Sequence, residues 1–339
     1  MTRYPVSRHS TRHGWEKREV QKKWRSLLAV FITVVLFLAV ANGLIKSFSL
    51  KKNLGSSSWS GKSSFVIALA ADPASVFIFQ KDSKRMVLLT LNNENYLPTG
   101  NQDQPIAKTS SIVEEKDGRR LERVLSLAFR SNIENYLIFK TSQKIDRETA
   151  QKLFKNFASL TTPLTLLIGG QDKIIMSTNI TRIDLFRLWW QIKGFSVNSL
   201  DLVDLGQATE ELIQKNNQKV LVVDEVFLHR EISKYLEDLD LRKENLKVEI
   251  DNASDYSTAA SLASDFVTSV GGSVISVETS DVKVDKTYIL TSQNKKYTSR
   301  YLAKIFKCDI KSTPESKDED TQDKIRVVLG QDFAARYSE

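Results

Sequence analysis

Carboxylates and indoles at the ends of apolar runs are where this sequence has residues fit for chemistry. Asp72 follows the run VIALAA, and Glu94 sits in the polar stretch after RMVLLTL. Two loop carboxylates can share a divalent cation, which takes oxygen ligands. The plainer reading is a turn aspartate before Pro73 and a solvated loop glutamate. Asp224-Glu225 closes the run KVLVV, where catalytic acids are found, yet an N-cap and first-turn acid is the stronger account. The cluster Glu315–Asp320 lacks the glycine and alternating ligands of a calcium loop and reads as a solvated insertion. Trp189 and Trp190 are adjacent indoles able to stack on sugar rings or polyprenyl chains. On an amphipathic helix, one of such a pair turns to the core and the other to the surface.

Cys308 is the only cysteine, so no intrachain disulfide forms. Lying between Phe306 and Ile310, it reads as a buried structural thiol rather than a nucleophile. Two of the three histidines, His9 and His13, stand near the N-terminus. No phosphate-binding glycine loop, zinc spacing or nucleophile elbow is present. The motifs alone therefore predict no catalytic set, no metal site and no cofactor.

Short apolar runs alternating with amphipathic stretches must position these residues. Strands are expected at 65–70, 75–80 and 85–91, with turns at Asp72-Pro73 and residues 81–84, then a long polar loop over 92–117. Leu121, Val124, Leu125, Ala128 and Phe129 fall at helical spacing. Further elements follow as a strand at 136–139, helices at 147–158 and 181–192, strands at 200–205 and 219–223, and a helix near 227–239. The polar stretch 240–245 is the candidate boundary. Beyond it, a strand at 246–250 leads to a helix on which Ala259, Leu262, Ala263, Phe266, Val267 and Val270 make one apolar stripe, stopped by Gly271-Gly272. Strands at 273–278 and 287–291, a helix at 297–306 and a strand at 325–329 complete a βαββαβ order. The expected class is α/β, with a mixed domain over 65–240 and a small α/β sandwich over 246–334.

Ahead of these domains, Leu27 to Ile45 reads LLAVFITVVLFLAVANGLI, nineteen uncharged residues. As a helix this spans about 28 Å, the thickness of a bilayer core. Residues 1–26 carry eight cations against two carboxylates, six of the chain's eight net positive charges. The positive-inside rule then places this tail in the cytoplasm and the bulk of the chain outside, in a single-pass arrangement. A cleaved signal peptide, ending near Ala39-Val40-Ala41, is the competing reading. Residues 46–64, rich in Ser, Gly and Lys, read as a flexible stalk. With the basic charge spent beside the membrane, where it meets anionic headgroups, no nucleic-acid partner is expected.

The C-terminal stretch VEIDNASDYSTAASLASDFVTSVGGSVISVET, then KTYILTS, SRYLAKIF and IRVVLGQDF, resembles the C-terminal domain of LytR-CpsA-Psr envelope proteins. Asn252-Ala253-Ser254 stands for the family's Asn-Gly turn, and Val327-Val328-Leu329-Gly330-Gln331-Asp332 matches its closing motif. Upstream, VIALAADPASVFIFQKDSKRMVLLTLNNENYL is similar in layout to the family's catalytic domain, a transferase of lipid-pyrophosphate-linked glycopolymers. Asn92-Asn93-Glu94-Asn95-Tyr96 occupies the slot of a Pro-Arg-Asp-x-Tyr motif.

The departures set the functional expectation. Pyrophosphate handling needs guanidinium forks and carboxylates for a cation, and Asn93 replaces the arginine with a neutral amide. The resemblance therefore implies a bacterial cytoplasmic-membrane protein, non-catalytic, that binds cell-wall glycopolymer or envelope partners as scaffold or regulator. The alternative is a divergent transferase using Asp72, Glu94 and Mg2+. It requires basic side chains, from Lys62, Arg119, Arg120, Lys173 or Arg182, to converge on Asp72. A transcriptional role would need a cytoplasmic DNA-binding module, and a 26-residue tail cannot fold one.

Overall fold

The computed structural model describes residues 59–159, 161–162, 174–214, 217–292, 296–312 and 324–338, all within one compact unit, Ser57–Glu339. The tail, the apolar segment 27–45, Lys173 and the acidic cluster 315–320 lie outside the described residues. Among the described residues, no helix is long and apolar enough to cross a membrane.

Within the segment expected to be a flexible stalk, residues 59–64 are described, and Trp59 among them is anchored in the core. The indole is 2% exposed, stacks 4.6 Å from Phe65, and donates from its ring nitrogen to the Ser63 carbonyl. One large apolar side chain is enough to bind a Ser/Gly-rich segment to a core, and periodicity cannot detect it.

The strands β1 (Phe65–Ala70), β2 (Ser75–Gln80) and β3 (Arg85–Thr90) form an antiparallel meander. Both faces of this sheet are covered. Val66, Ala68, Val76, Ile78, Val87 and Leu89 enter one core, while Phe65, Ile67, Phe79, Met86 and Leu88 enter another. That two-sided burial is why the runs are continuously apolar rather than alternating. The expected polar loop over 92–117 instead contains β4 (Tyr96–Pro98), β5 (Ile106–Lys108) and helix α1 (Thr109–Glu114). Each short strand buries only its middle residue, Leu97 or Ala107, too sparse a pattern to read from sequence.

Helix α2 (Gly118–Phe129) is capped by Asp117, whose carboxylate accepts from Arg119 N and Arg120 N, and ends at Arg130 with φ 47°. It packs on β1 and leads into β6 (Asn135–Phe139), parallel to β1. Helix α3 (Arg147–Phe157), strand β7 (Ile175–Thr178), helix α4 (Arg182–Ile192) and strand β8 (Leu200–Asp204) complete a six-stranded sheet of order β7-β6-β1-β2-β3-β8. A smaller sheet, β5-β4-β10-β9, adds β9 (Thr209–Ile213) and β10 (Lys219–Val223).

Helix α5 (Glu225–Leu236) leads to α6 (Leu239–Glu244), so the candidate boundary stretch 240–245 is helical to Glu244 and ends in Asn245 as a left-handed C-cap. Its sequence, DLRKEN, is polar because five of its six residues keep solvent, while Leu241 is buried. Glu244 at its end accepts from Tyr297 N at 2.9 Å and Thr298 N at 2.7 Å, capping a helix of the next layer.

That layer holds β11 (Lys247–Asn252), α7 (Ala259–Ser269), β12 (Ser273–Thr279), β13 (Tyr288–Thr291), α8 (Tyr297–Phe306), β14 (Asp309–Ser312), β15 (Lys324–Leu329) and α9 (Gln331–Tyr337). The order is βαββαββα, one strand and one helix more than βαββαβ. The sheet runs β12-β11-β15-β13-β14. Gly271, at φ +89°, ends α7, with Gly272 N returning to Val267 O at 2.9 Å as a glycine stop requires. The Asn252 carboxamide builds the turn after β11, accepting from Ser254 N at 3.1 Å and donating to Tyr256 O at 3.0 Å. Ala253 is buried and has no positive φ. Alanine in place of glycine is therefore unstrained there. One apolar cluster runs from β1 through α2 and α5 into this last sheet.

Candidate functional site

Strands β1 and β3 are both antiparallel to β2, so their C-terminal ends emerge at the same edge of the sheet. Asp72 follows β1 there, and Asn92–Asn95 follow β3. The Asp72 backbone is clamped on both sides: its N–H donates to Gln143 O at 2.9 Å, and its carbonyl accepts from Ile145 N at 2.7 Å. Asn92 turns the chain by accepting from Glu94 N at 3.0 Å. Asn95, 1% exposed, holds the turn down through Gly206 O at 3.0 Å and by accepting from Thr109 N at 2.8 Å.

This rigid pair of loops sets the Asn93 carboxamide against Asp72, with Nδ2 donating to Oδ1 at 2.5 Å. The Asn93 Oδ1 atom is buried without a hydrogen-bond partner. Glu94 faces elsewhere and pairs with Lys108 Nζ at 2.6 Å. Asp72 makes no ion pair among the described residues. The expected basic residues go to other places. Arg120 pairs with Glu115 at 2.7 Å, Arg119 and Arg120 line a cleft against α9, Arg182 opens α4, and Lys62 sits in the segment before β1.

A magnesium ion on phosphates takes one or two free carboxylates. Here one carboxylate oxygen is engaged by an amide and the second carboxylate by an ammonium, so this locus does not fit the ion. Among the described residues, no group of three His, Cys, Asp or Glu side chains is arranged to hold a metal.

The other sequence candidates have structural partners. Asp224 caps α5 by accepting from Phe227 N at 2.9 Å, and Glu225 pairs with Arg130 at 3.2 Å. Trp189 is 6% exposed and donates to Ser159 O at 2.8 Å. Trp190 is 59% exposed, with Lys193 Nζ 3.2 Å from its ring centroid. Cys308, expected to be buried, is only part-buried and lines a hollow beside Lys304 and Asp309; desolvation still pushes its thiol up to about 12. Arg130 escaped sequence reading: it joins Asp265, Glu225 and Ser261, residues over ninety positions away.

With this geometry in place, comparison with known families becomes informative. Residues 245–333 match the family described as LytR cell envelope-related transcriptional attenuator. The C-terminal layer is thus similar to the LytR C-terminal domain, as its closing motif implied. No curated protein matches the chain. Among solved structures, Bacillus subtilis TagV is similar at 11% identity and TM-score 0.39, over 52% of this chain and 98% of that one. A transcriptional regulator from Enterococcus faecalis gives 10% and 0.38, over 50% and 84%. The LytR-CPS2A-psr family protein YwtF (TagT), with bound octaprenyl pyrophosphate lipid, gives 10% and 0.35, over 52% and 91%. Scores this low assign no residue a role.

Proposed function

We propose that this chain is a single-pass, membrane-anchored protein of a bacterial cell envelope, with its folded unit outside the cytoplasm. It acts without catalysis, binding wall glycopolymer or envelope partners as a scaffold or regulator. The LytR C-terminal match at 245–333 supports the envelope placement. The apolar segment 27–45 and its basic N-terminal flank support the anchor. The observation that carries the non-catalytic reading is the Asn93–Asp72 hydrogen bond. It places a neutral amide where pyrophosphate transfer needs a guanidinium.

The test is binding of a polyprenyl-pyrophosphate lipid to the purified protein with and without magnesium. The expected result is no magnesium-dependent binding and no difference between wild type and Asp72→Ala. Magnesium-dependent binding lost in Asp72→Ala would overturn the reading and make the chain a divergent transferase.

A further inference from the structure

A second locus is richer in charge than the Asp72 edge. Helices α2 and α9 and the residue ending α8 enclose a cleft of about 650 Å³ lined by Arg119, Arg120, Arg123, Lys307 and Arg336. Its wall carries only two acids, Asp117 and Glu122. Asn179 and Lys307 also line a second hollow of about 580 Å³, where Lys304 and Lys307 are matched in number by Glu134 and Asp309. The excess of cations therefore lies in the first hollow, a trough at the junction of the first sheet's helix layer and the C-terminal layer.

The cations in it are poorly neutralised. Arg120 has Glu115 at 2.7 Å, and Lys307 has Glu122 only at 3.8 Å. Among the described residues neither Arg119 nor Arg123 forms a salt bridge, although Arg119 acts electrostatically on Glu122, and the Arg123 Nε is buried without a hydrogen-bond acceptor. Arg336 is oriented by the Phe306 carbonyl at 2.8 Å and the Asp332 carbonyl at 3.2 Å, contacts that fix the fork and leave its charge in place. A buried donor without an acceptor costs about 1–3 kcal/mol, and a like-charged wall adds self-repulsion. An arrangement of this kind is relieved when oxyanions enter it. Guanidinium forks match them in pairs of parallel hydrogen bonds. A tetrahedral phosphate, with its acceptors directed several ways, can meet α2 and α9 together.

We propose that this trough is a binding site for the phosphate groups of a linear polyanion. The site is distinct from the Asp72 edge and does not depend on how that edge is read. A ligand with several phosphates rather than a single ion is inferred because five cations face two acids in this one trough.

The probe is long-chain inorganic polyphosphate, titrated into the full-length protein, with hyaluronate as a carboxylate polymer of similar charge and anionic phospholipid vesicles as a third arm. Polyphosphate binding is expected to weaken steeply with salt. It should also weaken about tenfold in Arg123→Gln, the loss of one charge-assisted fork. Arg119→Ser and Lys307→Glu alter exposed side chains and keep the test valid should Arg123→Gln fold poorly. Each should weaken binding, while Asp72→Ala should leave it unchanged. Equal affinity for hyaluronate would overturn the phosphate assignment. Binding to vesicles alone would overturn the polymer, and affinity unmoved by all three trough variants would overturn the site.

Discussion

The carboxamide of Asn93 donates to the carboxylate of Asp72 at 2.5 Å, although the two residues come from separate turns twenty-one positions apart. The bond forms because β1 and β3 end at one edge of the sheet and both turns are fixed by backbone hydrogen bonds. It also fixes the amide's orientation: a flipped Asn93 would set oxygen against oxygen. Asp72 is exposed, so Asn93→Ala should lower stability by no more than about 1 kcal/mol. Urea unfolding would check this, and a much larger loss would make the pair a structural keystone.

Arg130 should matter far more. Its guanidinium holds Asp265, Glu225 at 3.2 Å and Ser261 at 2.7 Å, joining the end of α2 to α5 and α7. Arg130→Ala leaves two half-buried acids facing each other and should cost about 2 kcal/mol. That figure stays below the full value for a buried pair because all three side chains keep some solvent. Chemical denaturation of the variant gives the number directly.

Glu122 sets a pH dependence. Burial pushes its carboxyl up to about 7, against the opposing pull of Lys307; Glu134 adds to the rise and Arg119 opposes it. The unfolded chain loses this proton near 4.5, so between those values the folded state binds more protons than the unfolded. Stability from this group is therefore intact below about 4.5, falls as pH rises, and is lost above about 7. Glu122→Gln should gain up to about 3 kcal/mol on wild type at mildly alkaline pH, less its lost pairing with Lys307. Below the lower value the advantage should vanish. Urea curves at the two extremes decide it, and an offset equal at both would refute the assignment.

Cys308 should be slow to react. With its thiol raised to about 12 by burial, the thiolate fraction at neutral pH is about a thousandfold below that of an ordinary cysteine. Iodoacetamide labelling of the native protein should be correspondingly slow and should recover in urea. Fast native labelling would refute the raised thiol, since Cys308 already borders an open hollow.

What the sequence disclosed follows from where burial leaves a mark. Strands β1 and β2 were legible to the residue because both faces are covered; β10 and α8 were equally legible although each buries only one face. Strand β9 was not, since Thr209–Ile213 keeps nearly every side chain in solvent. Helix α9 was missed because Gly330 after β15 reads as an end. The Asp72 and Asn93 turns could be brought together only through resemblance to a family. For the trough, Arg119 and Arg123 lie one helical turn apart, yet the sequence reading set Arg119 toward Asp72 and passed over Arg123. Lys307 and Arg336 join them through tertiary packing alone, which spacing does not encode.

Strand β15 lies between β11 and β13, parallel to one and antiparallel to the other. Helix α9 directly after it sets Phe333 and Tyr337 against Phe266 and Phe306. The Tyr337 carbonyl also comes so close to Gly100 that any side chain there would collide with it. The middle of one sheet and the cover of a loop near the start of the fold are thus supplied by elements more than two hundred residues further along the chain than that loop. A chain emerging N-terminus first cannot finish either layer until residues 324–337 have been made. Until then Phe266 and Phe306 have no lid, and a nascent chain stalled short of residue 324 would present them to any holdase within reach.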